Sequence, residues 1–292
     1  MSERLTFVAV HAHPDDEASS TGGTFRLLKD QGVRTVLVTC TNGEYGDDTS
    51  GLKPDHDEHS PEEVALHRRS ELEKACEILG VDRLVMLGYR DSGMRGWPGN
   101  DDPRSFWSTP VDVAAVKLAA VLSDERPQVI MTYNEFGFYG HPDHIQANRV
   151  TLAALDLLDY EPTLYYNAIP DSVMEQYRAR WAEEARQEAE ERRARGEEVD
   201  DSPGSGPPVD ENGEPIRMGT PDDQIGAEID ISAVNDAKFD ALAAHHSQIG
   251  DSFWMKMGRD RFRETMTKEW FVRVRDPHER SGVVDDLFVD YR

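Results

Sequence analysis

Apolar and polar positions alternate along the first 170 residues in a repeated order of strand, polar loop and helix. Short, continuous apolar runs predict strands buried on both faces at residues 5–10, 35–39, 84–87, 128–132 and 163–167. Segments with helical periodicity lie between them, at residues 22–29, 61–79, 112–123 and 143–158. This order predicts an α/β fold in which helices cover both faces of a parallel sheet.

The simplest arrangement for such a chain is a Rossmann-like sheet with the strand order 3-2-1-4-5 and right-handed crossovers. In that order the first and fourth strands are neighbours, and the chain reverses direction between them. Ligands bind in the crevice that opens there, at the carboxyl ends of the strands. We therefore expect the polar segments that follow these two strands to share one site.

The pattern changes after residue 170. Residues 172–198 predict a solvated helix with opposite charges one turn apart, and residues 200–223, rich in Pro, Gly, Asp and Glu, predict a flexible loop. A strand at 226–231, a helix at 232–246 and a strand at 269–275 follow. We predict a Rossmann-like domain at residues 1–170 and a smaller C-terminal lobe at 171–292, packed on the edge of the sheet where the ligand crevice opens.

Composition limits the kind of partner. The 292 residues include 57 acidic and 32 basic side chains, a net charge of −25, which disfavours nucleic acids and anionic membranes. Cys40 and Cys76 lie in apolar or helical patterns and predict buried thiols in a reducing cytoplasm. No signal-peptide pattern and no run of ~18 apolar residues is present. We expect a cytoplasmic protein with a small-molecule substrate; the oligomeric state stays open.

Two polar motifs follow the first and fourth strands: H-A-H-P-D-D-E at residues 11–17 and Y-G-H-P-D-H at residues 139–144. His13 and Asp16 are three positions apart and share one side of a helical turn, so both can bind one ion. His144 is the predicted third ligand. Two histidines and one carboxylate leave a position open for water, as in catalytic zinc sites. We predict Zn²⁺ at this centre, with Fe²⁺ as the alternative.

Other side chains of the two motifs are candidates for proton transfer. Asp15 is next to a ligand and can take a proton from water activated by the metal. His141 can protonate a leaving amine or stabilise a charged intermediate. Asp143 can orient a histidine as a hydrogen-bond acceptor, and Tyr139 can donate to an oxyanion.

Other classes of metalloenzyme share parts of this pattern. His13-Pro-Asp15 with a later histidine fits the facial triad of Fe(II) oxygenases, and H-A-H-P-D-D approaches the H-x-H-x-D-H of metallo-β-lactamase-like hydrolases. The first class is built on jelly rolls and the second on a β-sandwich, whereas this chain predicts alternating strands and helices. Both classes are therefore disfavoured.

The chain resembles the LmbE-like, or PIG-L, family of zinc N-deacetylases over roughly residues 5–170. Besides the two motifs, the resemblance rests on T-N-G-E at 41–44, R-x-x-E-L at 68–72 and R-D-S-G-M at 90–94. A-H-H-S-Q-I at 244–249 resembles a C-terminal A-H-x-x-Q-I of the mycothiol-related members. The charged segment between residues 175 and 223 matches no pattern of the family.

The resemblance implies zinc on the three ligands named above, Asp15 as general base, His141 as acid or electrostatic partner, and Tyr139 at the oxyanion. It implies that Arg68 and Asp91 hold sugar hydroxyls. The side chains implied to lie close by are Glu44, Ser92 and Met94. The implied reaction is hydrolysis of an N-acyl group, usually acetyl, from an amino sugar such as an N-acetylglucosaminyl compound.

Three other functions remain open. One is an amidase that cleaves a larger glucosamine amide, such as a mycothiol S-conjugate. The core motifs do not distinguish this amidase from a deacetylase; we expect the segment after residue 170 to distinguish them. A second is an Fe(II)-dependent oxidoreductase. The third is a non-catalytic sugar-binding protein, which would not need Asp15.

Overall fold

A computed structural model describes residues 4–197 and 217–292 of the chain. The strands of this part are β1 Thr6–His11, β2 Arg34–Thr41, β3 Arg83–Tyr89, β4 Val129–Thr132, β5 Thr163–Ala168, β6 Ala227–Asp230 and β7 Lys268–Arg275. Its α-helices are α1 Asp16–Asp30, α2 Pro61–Leu79, α3 Val111–Glu125, α4 Gly137–Gly140, α5 Pro142–Leu155, α6 Asp171–Ala194, α7 Asn235–Ala244, α8 His246–Ile249, α9 Phe253–Met257 and α10 Arg259–Thr265.

The strands form one mixed sheet in the order β3-β2-β1-β4-β5-β7-β6. Strands β1 to β5 are parallel in the predicted order 3-2-1-4-5. The predicted order is nevertheless incomplete, because β7 pairs antiparallel with the outer edge of β5 and β6 pairs antiparallel with β7. Two strands after residue 170 thus extend the same sheet, and the division into two domains stays a prediction.

The sheet separates two apolar clusters. Phe7 and Ala9 of β1 face a cluster covered by α1, α2 and α7, whereas Val8 and Val10 face a cluster covered by α3 and α5. All six residues of β1 are buried, as its continuous apolar run predicts for a central parallel strand. The carboxyl end of β1 is therefore buried, next to the end of β4.

Local sequence signals place α2 correctly and α1 only in part. Ser60 accepts the backbone N–H of Glu63, and Gly80 ends α2 in the left-handed conformation with φ 73°. Helix α1 begins at Asp16, six residues before the predicted start. Acidic side chains favour a helix N-terminus, but they do not contribute to the apolar pattern on which the prediction was based. The first turn of α1 thus belongs to the first motif.

The C-terminal third contains the predicted helices and strands in order, but the short helices α8, α9 and α10 between α7 and β7 were not predicted. The charged helix is present as α6, although it ends at Ala194. Residues 200–216 of the predicted loop lie outside the described residues. Within the part of the chain that the structure describes, no helix combines the length and the apolar character needed to cross a bilayer.

Candidate active site

The two motifs meet where β1 and β4 end side by side. Phe7, Val8 and Ala9 pair in parallel with the three residues that start at Val129, so the segments after the two strands leave the sheet together. His13 lies on the turn between β1 and α1, Asp16 begins α1, and His144 lies in the first turn of α5. Strand order alone therefore places the three predicted ligands at one crevice.

The donor atoms of these three residues converge. His13 Nδ1 lies 3.3 Å from both Asp16 Oδ2 and His144 Nε2, and His144 Nε2 lies 3.5 Å from Asp16 Oδ1. All three residues are buried. In a tetrahedral zinc site with bonds of about 2.0–2.1 Å, neighbouring ligand atoms are about 3.3–3.4 Å apart. The three distances are close to these values, with each histidine facing a different oxygen of Asp16, so the donor set is compatible with a single ion of this kind.

Asp143 orients His13 for this role. Its Oδ2 lies 3.2 Å from His13 Nε2, and Ser92 anchors the carboxylate through its backbone N–H, at 2.9 Å, and its hydroxyl. A carboxylate at Nε2 favours the proton there, which leaves the lone pair on Nδ1 facing Asp16 and His144. A hydrogen-bonded carboxylate behind a histidine ligand is a common support of metal sites.

The charges around His13 favour a cation. Burial alone would lower the pKa of His13, but Asp91, Asp143 and Asp16 outweigh it and raise the pKa well above its ordinary value. Burial would likewise raise the pKa of Asp16, yet His144 and His13 hold it well below the usual range. The carboxylates thus stabilise positive charge at this point, which a bound metal ion would supply.

Two other sets of ligand atoms lie within 4.8 Å of one another in the described residues: His13, His141 and His144, and His13, Asp91 and Asp143. In the first set, His141 Nδ1 is occupied, because it accepts the backbone N–H of Asp143 at 3.1 Å. In the second set, the carboxylates face His13 Nε2 and already accept hydrogen bonds from Ser92 and Gly93. Asp16 Oδ2 of the predicted set likewise accepts the N–H of His13, at 2.8 Å, so the metal content of variants has to decide among the sets.

Asp15 has a strained backbone, with φ 109° and ψ −25°. Such a conformation costs a non-glycine residue about 1–3 kcal/mol, and the surroundings must hold it. Glu17 Oε2 accepts the N–H of Asp15 at 3.0 Å, and Arg68 donates to its carboxylate at 3.1 Å. Burial raises the pKa of Asp15 to about 6, against the opposing charge of Arg68. A carboxylate with this pKa is suited to general-base catalysis near neutral pH.

Arg68 does more than the sequence indicated. Its guanidinium donates to the carbonyl of Gly43 at 2.8 Å and to that of Pro14 at 2.5 Å, besides its bond to Asp15. The side chain is buried, with the residue 4% exposed. These contacts join the loops after β1 and β2, so Arg68 holds the side chain of Asp15 in position.

His141 and Tyr139 both contact the ligand histidines. Since His141 Nδ1 accepts a backbone N–H, the neutral ring carries its proton on Nε2. Burial, reinforced by His13 and His144, lowers the pKa of His141 well below its ordinary value. The ring of Tyr139 lies 5.0 Å from that of His144, and burial raises the pKa of its phenol, which keeps the hydroxyl protonated.

A polar cavity of about 200 Å³ opens beside the predicted metal ligands, and its walls include Arg68, Asp91 and Met94. Asp91 and Met94 thus line this cavity, and their contact with a sugar stays a prediction. Glu44 and Ser92 lie behind the wall: Glu44 accepts the N–H of Asp91 at 2.9 Å, and Ser92 holds the carboxylate behind His13. These two residues support the loops and do not line the cavity.

Three contacts at the site were not predicted. Tyr133 stacks on His144 with ring centroids 4.1 Å apart, and its hydroxyl accepts the N–H of Ala12 at 2.9 Å. His245, from the C-terminal third, is hydrogen-bonded to Glu17 at 2.6 Å. The A-H-H-S-Q-I segment marked His245 as a residue of interest, whereas no sequence pattern around Tyr133 indicated its contact with His144.

The sheet places convergent His and Asp donors beside a further carboxylate at its switch-point crevice, an arrangement that could hold a metal ion in an α/β hydrolase. The sequence model of the PIG-L family, described as GlcNAc-PI de-N-acetylase, matches residues 8–155, about half of the chain. The chain belongs to this family, which confirms the resemblance found in its motifs.

Curated relatives extend the match to nearly the whole chain. The protein is 39% identical over 288 residues to the 1D-myo-inositol 2-acetamido-2-deoxy-alpha-D-glucopyranoside deacetylase of Acidothermus cellulolyticus, covering 95% of this chain and 91% of that protein. It is 39% identical over 293 residues to the enzyme of the same name from Thermobifida fusca, with 94% of each chain covered.

Solved structures share the fold at lower identity. The N,N'-diacetylchitobiose deacetylase of Pyrococcus horikoshii has a TM-score of 0.57 and 19% identity, covering 93% of this chain and 84% of its own. The 4-carboxy-2-hydroxymuconate hydratase of Pseudomonas putida has a TM-score of 0.58 and 17% identity, covering 95% and 99%. The fold thus occurs with different reactions, and the function must be argued from the site.

Proposed function

We propose that the protein is a zinc-dependent deacetylase that hydrolyses the N-acetyl group of a glucosaminyl-inositol, the substrate for which its relatives are named. One observation carries the proposal: His13, Asp16 and His144 present their donor atoms to one point, beside a buried carboxylate and a polar cavity. An amino sugar has the hydroxyl groups that such a cavity binds.

His13, Asp16 and His144 are the proposed ligands. A zinc ion held there would lower the pKa of a bound water to about 7 and polarise the amide carbonyl. Fe²⁺ is the alternative, because the same donor types bind it. Asp143 serves as the acceptor that keeps the lone pair of His13 on Nδ1.

Asp15 is the proposed general base. Its carboxylate takes the proton of the attacking water, while Arg68 and Glu17 hold its side chain and backbone in place. The proton is then passed to the amine as the C–N bond breaks, so that the products are a carboxylate and an amine. The strained backbone is consistent with a carboxylate that is held in position for its reaction.

His141 and Tyr139 are the proposed donors. The neutral ring of His141 can donate its Nε2–H as a hydrogen bond and so stabilise the charge that develops beside it, while the proton that the amine takes comes from Asp15. The hydroxyl of Tyr139 can donate to the oxygen of the tetrahedral intermediate. Arg68, Asp91 and Met94 line the cavity proposed for the sugar.

The proposed setting is the cytoplasm, with a small amino sugar as the partner. Cys40 and Cys76 are free and buried, which suits a reducing compartment. Since the chain is strongly acidic, we do not expect nucleic acids or anionic membranes among its partners. The oligomeric state is left open.

The direct test is release of acetate from the glucosaminyl-inositol amide by purified protein. Chelation should abolish the activity, and Zn²⁺ or Fe²⁺ should restore it, with the better metal identifying the resident ion. Activity that survives in metal-free protein would contradict the proposal. Oxygen consumption without acetate release would instead support an Fe(II) oxidoreductase, and sugar binding without turnover would support a binding protein.

A further inference from the structure

The polar cavity has a buried end and an exposed rim that differ in character. Arg68 and Asp91 line the buried end, and each of these residues is 4% exposed. The rim consists of Met94 and Trp97, which are 37% and 39% exposed, and of the half-buried Tyr45. None of the three side chains of the rim is charged. The rim therefore suits an uncharged group that stays partly in contact with water.

Tyr45 and Trp97 form an aromatic pair at this rim. Their ring centroids are 6.1 Å apart and their planes meet at 61°. A Cβ added at Gly93 would lie 2.7 Å from Cε3 of Trp97, and one added at Gly99 would lie 2.6 Å from Cε2 of Tyr45. Each ring therefore packs directly against glycine backbone. Because Trp97 lines the cavity and is 39% exposed, part of its indole stays accessible to a ligand.

The loop that carries Trp97 is held by Asn100. The side-chain amide of Asn100 donates to the carbonyls of Ser92 and Met94, at 2.7 and 3.2 Å. The N–H of Trp97 donates to the same carbonyl of Met94 at 3.0 Å. The indole is therefore attached to a hydrogen-bonded turn. A ligand surface that is already ordered loses less conformational freedom on binding.

The loop that carries Tyr45 is held at two points. The backbone N–H of Tyr45 donates to Oδ2 of Asp91 at 3.4 Å, which joins it to the wall of the same cavity. Gln248, from the C-terminal third, pairs with the backbone of Asp47. Its Nε2 donates to the carbonyl at 2.8 Å, and its Oε1 accepts the N–H at 3.1 Å. Both aromatic rings of the rim thus stand on ordered backbone.

The size of the cavity decides which part of a substrate reaches the rim. Its volume is about 200 Å³, whereas pockets that enclose drug-sized ligands measure about 300–1,000 Å³. With the acetamido group at the proposed metal ligands, the amino sugar lies between Arg68 and Asp91. A second ring attached to that sugar then lies at the exposed rim.

A saturated six-membered ring with hydroxyl groups can pack on an aromatic surface. Its hydroxyls project around the ring, while the C–H bonds on its faces are apolar and slightly positive. The face of an aromatic ring is negative, so such C–H bonds pack favourably against it. At a half-open rim the hydroxyls keep their contact with water, so their desolvation costs little.

We propose that Tyr45, Met94 and Trp97 form a platform for the second ring of the substrate, an uncharged ring that carries hydroxyl groups, such as a cyclitol. Trp97 contributes the largest exposed aromatic surface of the platform and determines the preference for two-ring over one-ring substrates. This assignment rests on the proposed function and deepens it, because it names the residues that select the group attached to the amino sugar.

The test compares two N-acetylglucosaminyl substrates: the inositol conjugate, and the methyl glycoside, which lacks the second ring. Wild-type kcat/KM should be at least about tenfold higher for the inositol conjugate. Trp97→Ala should lower this ratio about tenfold by raising KM for the inositol conjugate, with kcat nearly unchanged, because the ring is far from the bond that breaks. Trp97→Phe, which keeps an aromatic face, should retain most of the ratio.

Trp181→Ala is the matched control. Trp181 is 38% exposed and lines a separate, apolar cavity of about 440 Å³ that also reaches Asp15 and Tyr139. The same substitution at similar exposure should leave the ratio of the two kcat/KM values as in the wild type. A ratio lowered by Trp181→Ala and unchanged in Trp97→Ala would place the second ring in the apolar cavity and overturn the platform.

Binding of the deacetylated product, glucosaminyl-inositol, gives a measurement without turnover. By calorimetry, its Kd should be about tenfold higher in Trp97→Ala than in the wild type, and within about threefold in Trp97→Phe. Equal Kd values in the three proteins would overturn the platform while leaving an active deacetylase in place. If neither substrate released acetate but the product bound in this Trp97-dependent manner, the proposed function would fail and the platform would stand.

Discussion

His245 Nε2 lies 2.6 Å from Glu17 Oε1, and neither side chain is exposed to solvent. The other carboxylate oxygen of Glu17 accepts the backbone N–H of Asp15 at 3.0 Å. A residue 228 positions away in the sequence thus holds the carboxylate that fixes the strained backbone of the proposed base. The C-terminal third therefore contributes to the reaction centre without contacting the metal ligands through this side chain.

Replacing His245 by alanine should lower kcat by about 10- to 100-fold and leave KM nearly unchanged, because Asp15 loses its fixed position while the polar cavity stays intact. His245→Gln, which can still donate to Glu17, should recover part of the loss. Steady-state kinetics and the metal content of each variant are the measurements. If both variants lost only thermal stability and kept full kcat, the pair would be structural and would not position the base.

The same pair predicts a dependence of stability on pH. Burial would lower the pKa of His245, but Glu17 outweighs it and raises the pKa above the ordinary value of about 6.5. Since the folded state holds this proton more tightly, the stabilisation is complete below the ordinary pKa and is lost as the pH rises through the folded-state pKa. Denaturant unfolding at a series of pH values should show that the unfolding free energy of the wild type falls more than that of His245→Gln as the pH rises through the folded-state pKa. Parallel curves would argue against a protonated His245.

Asp15→Asn should keep the metal and lose amide hydrolysis by about 10²- to 10⁴-fold, the usual contribution of a general base. The substitution retains the hydrogen bond from Arg68 but removes the proton acceptor. Asp57→Asn, at an exposed position, is the matched control for loss of one negative charge. Turnover within a few-fold of wild type in metal-loaded Asp15→Asn would exclude the base assignment.

Metal content can decide among the three sets of ligand atoms. Alanine at His13, Asp16 or His144 should abolish stoichiometric binding, whereas His141→Ala should bind the metal and lose turnover. Asp143→Asn should bind 10- to 100-fold more weakly, because the proton of His13 is no longer held on Nε2. Titration of apoprotein with Zn²⁺, followed by elemental analysis, gives these affinities. A His141→Ala protein that cannot bind zinc would favour the set with three histidines.

The sequence predicted the parts of the fold and site that depend on neighbouring residues. Each of the five parallel strands is a continuous apolar run. The first motif begins at the end of β1 and the second follows β4 after six residues, so strand order sufficed to bring His13 and His144 together. The pairing of β7 with β5 was not predictable, since it depends on which edge of the sheet is free. The contact of His245 with Glu17 and those of Arg68 with backbone carbonyls join distant segments and leave no local pattern.

The buried pair of Lys238 and Glu269 should be the most sensitive ionic contact of the C-terminal third. Glu269 also accepts the N–H groups of Gly23 and Thr24, at 3.0 and 2.8 Å, and so ties β7 to α1. Lys238→Met leaves this carboxylate buried without its partner, a change that costs about 3–5 kcal/mol of unfolding free energy.

Two comparisons make the Lys238 prediction specific. Lys268→Met breaks a partly exposed pair with Glu228 and should cost no more than about 1 kcal/mol. The double variant Lys238→Met, Glu269→Leu removes both buried charges, so it should be more stable than Lys238→Met alone. The loss of the two hydrogen bonds from α1 to Glu269 reduces this gain in unfolding free energy. Urea unfolding of the four proteins gives these free energies. Equal losses in Lys238→Met and Lys268→Met would show that burial adds nothing to the first pair.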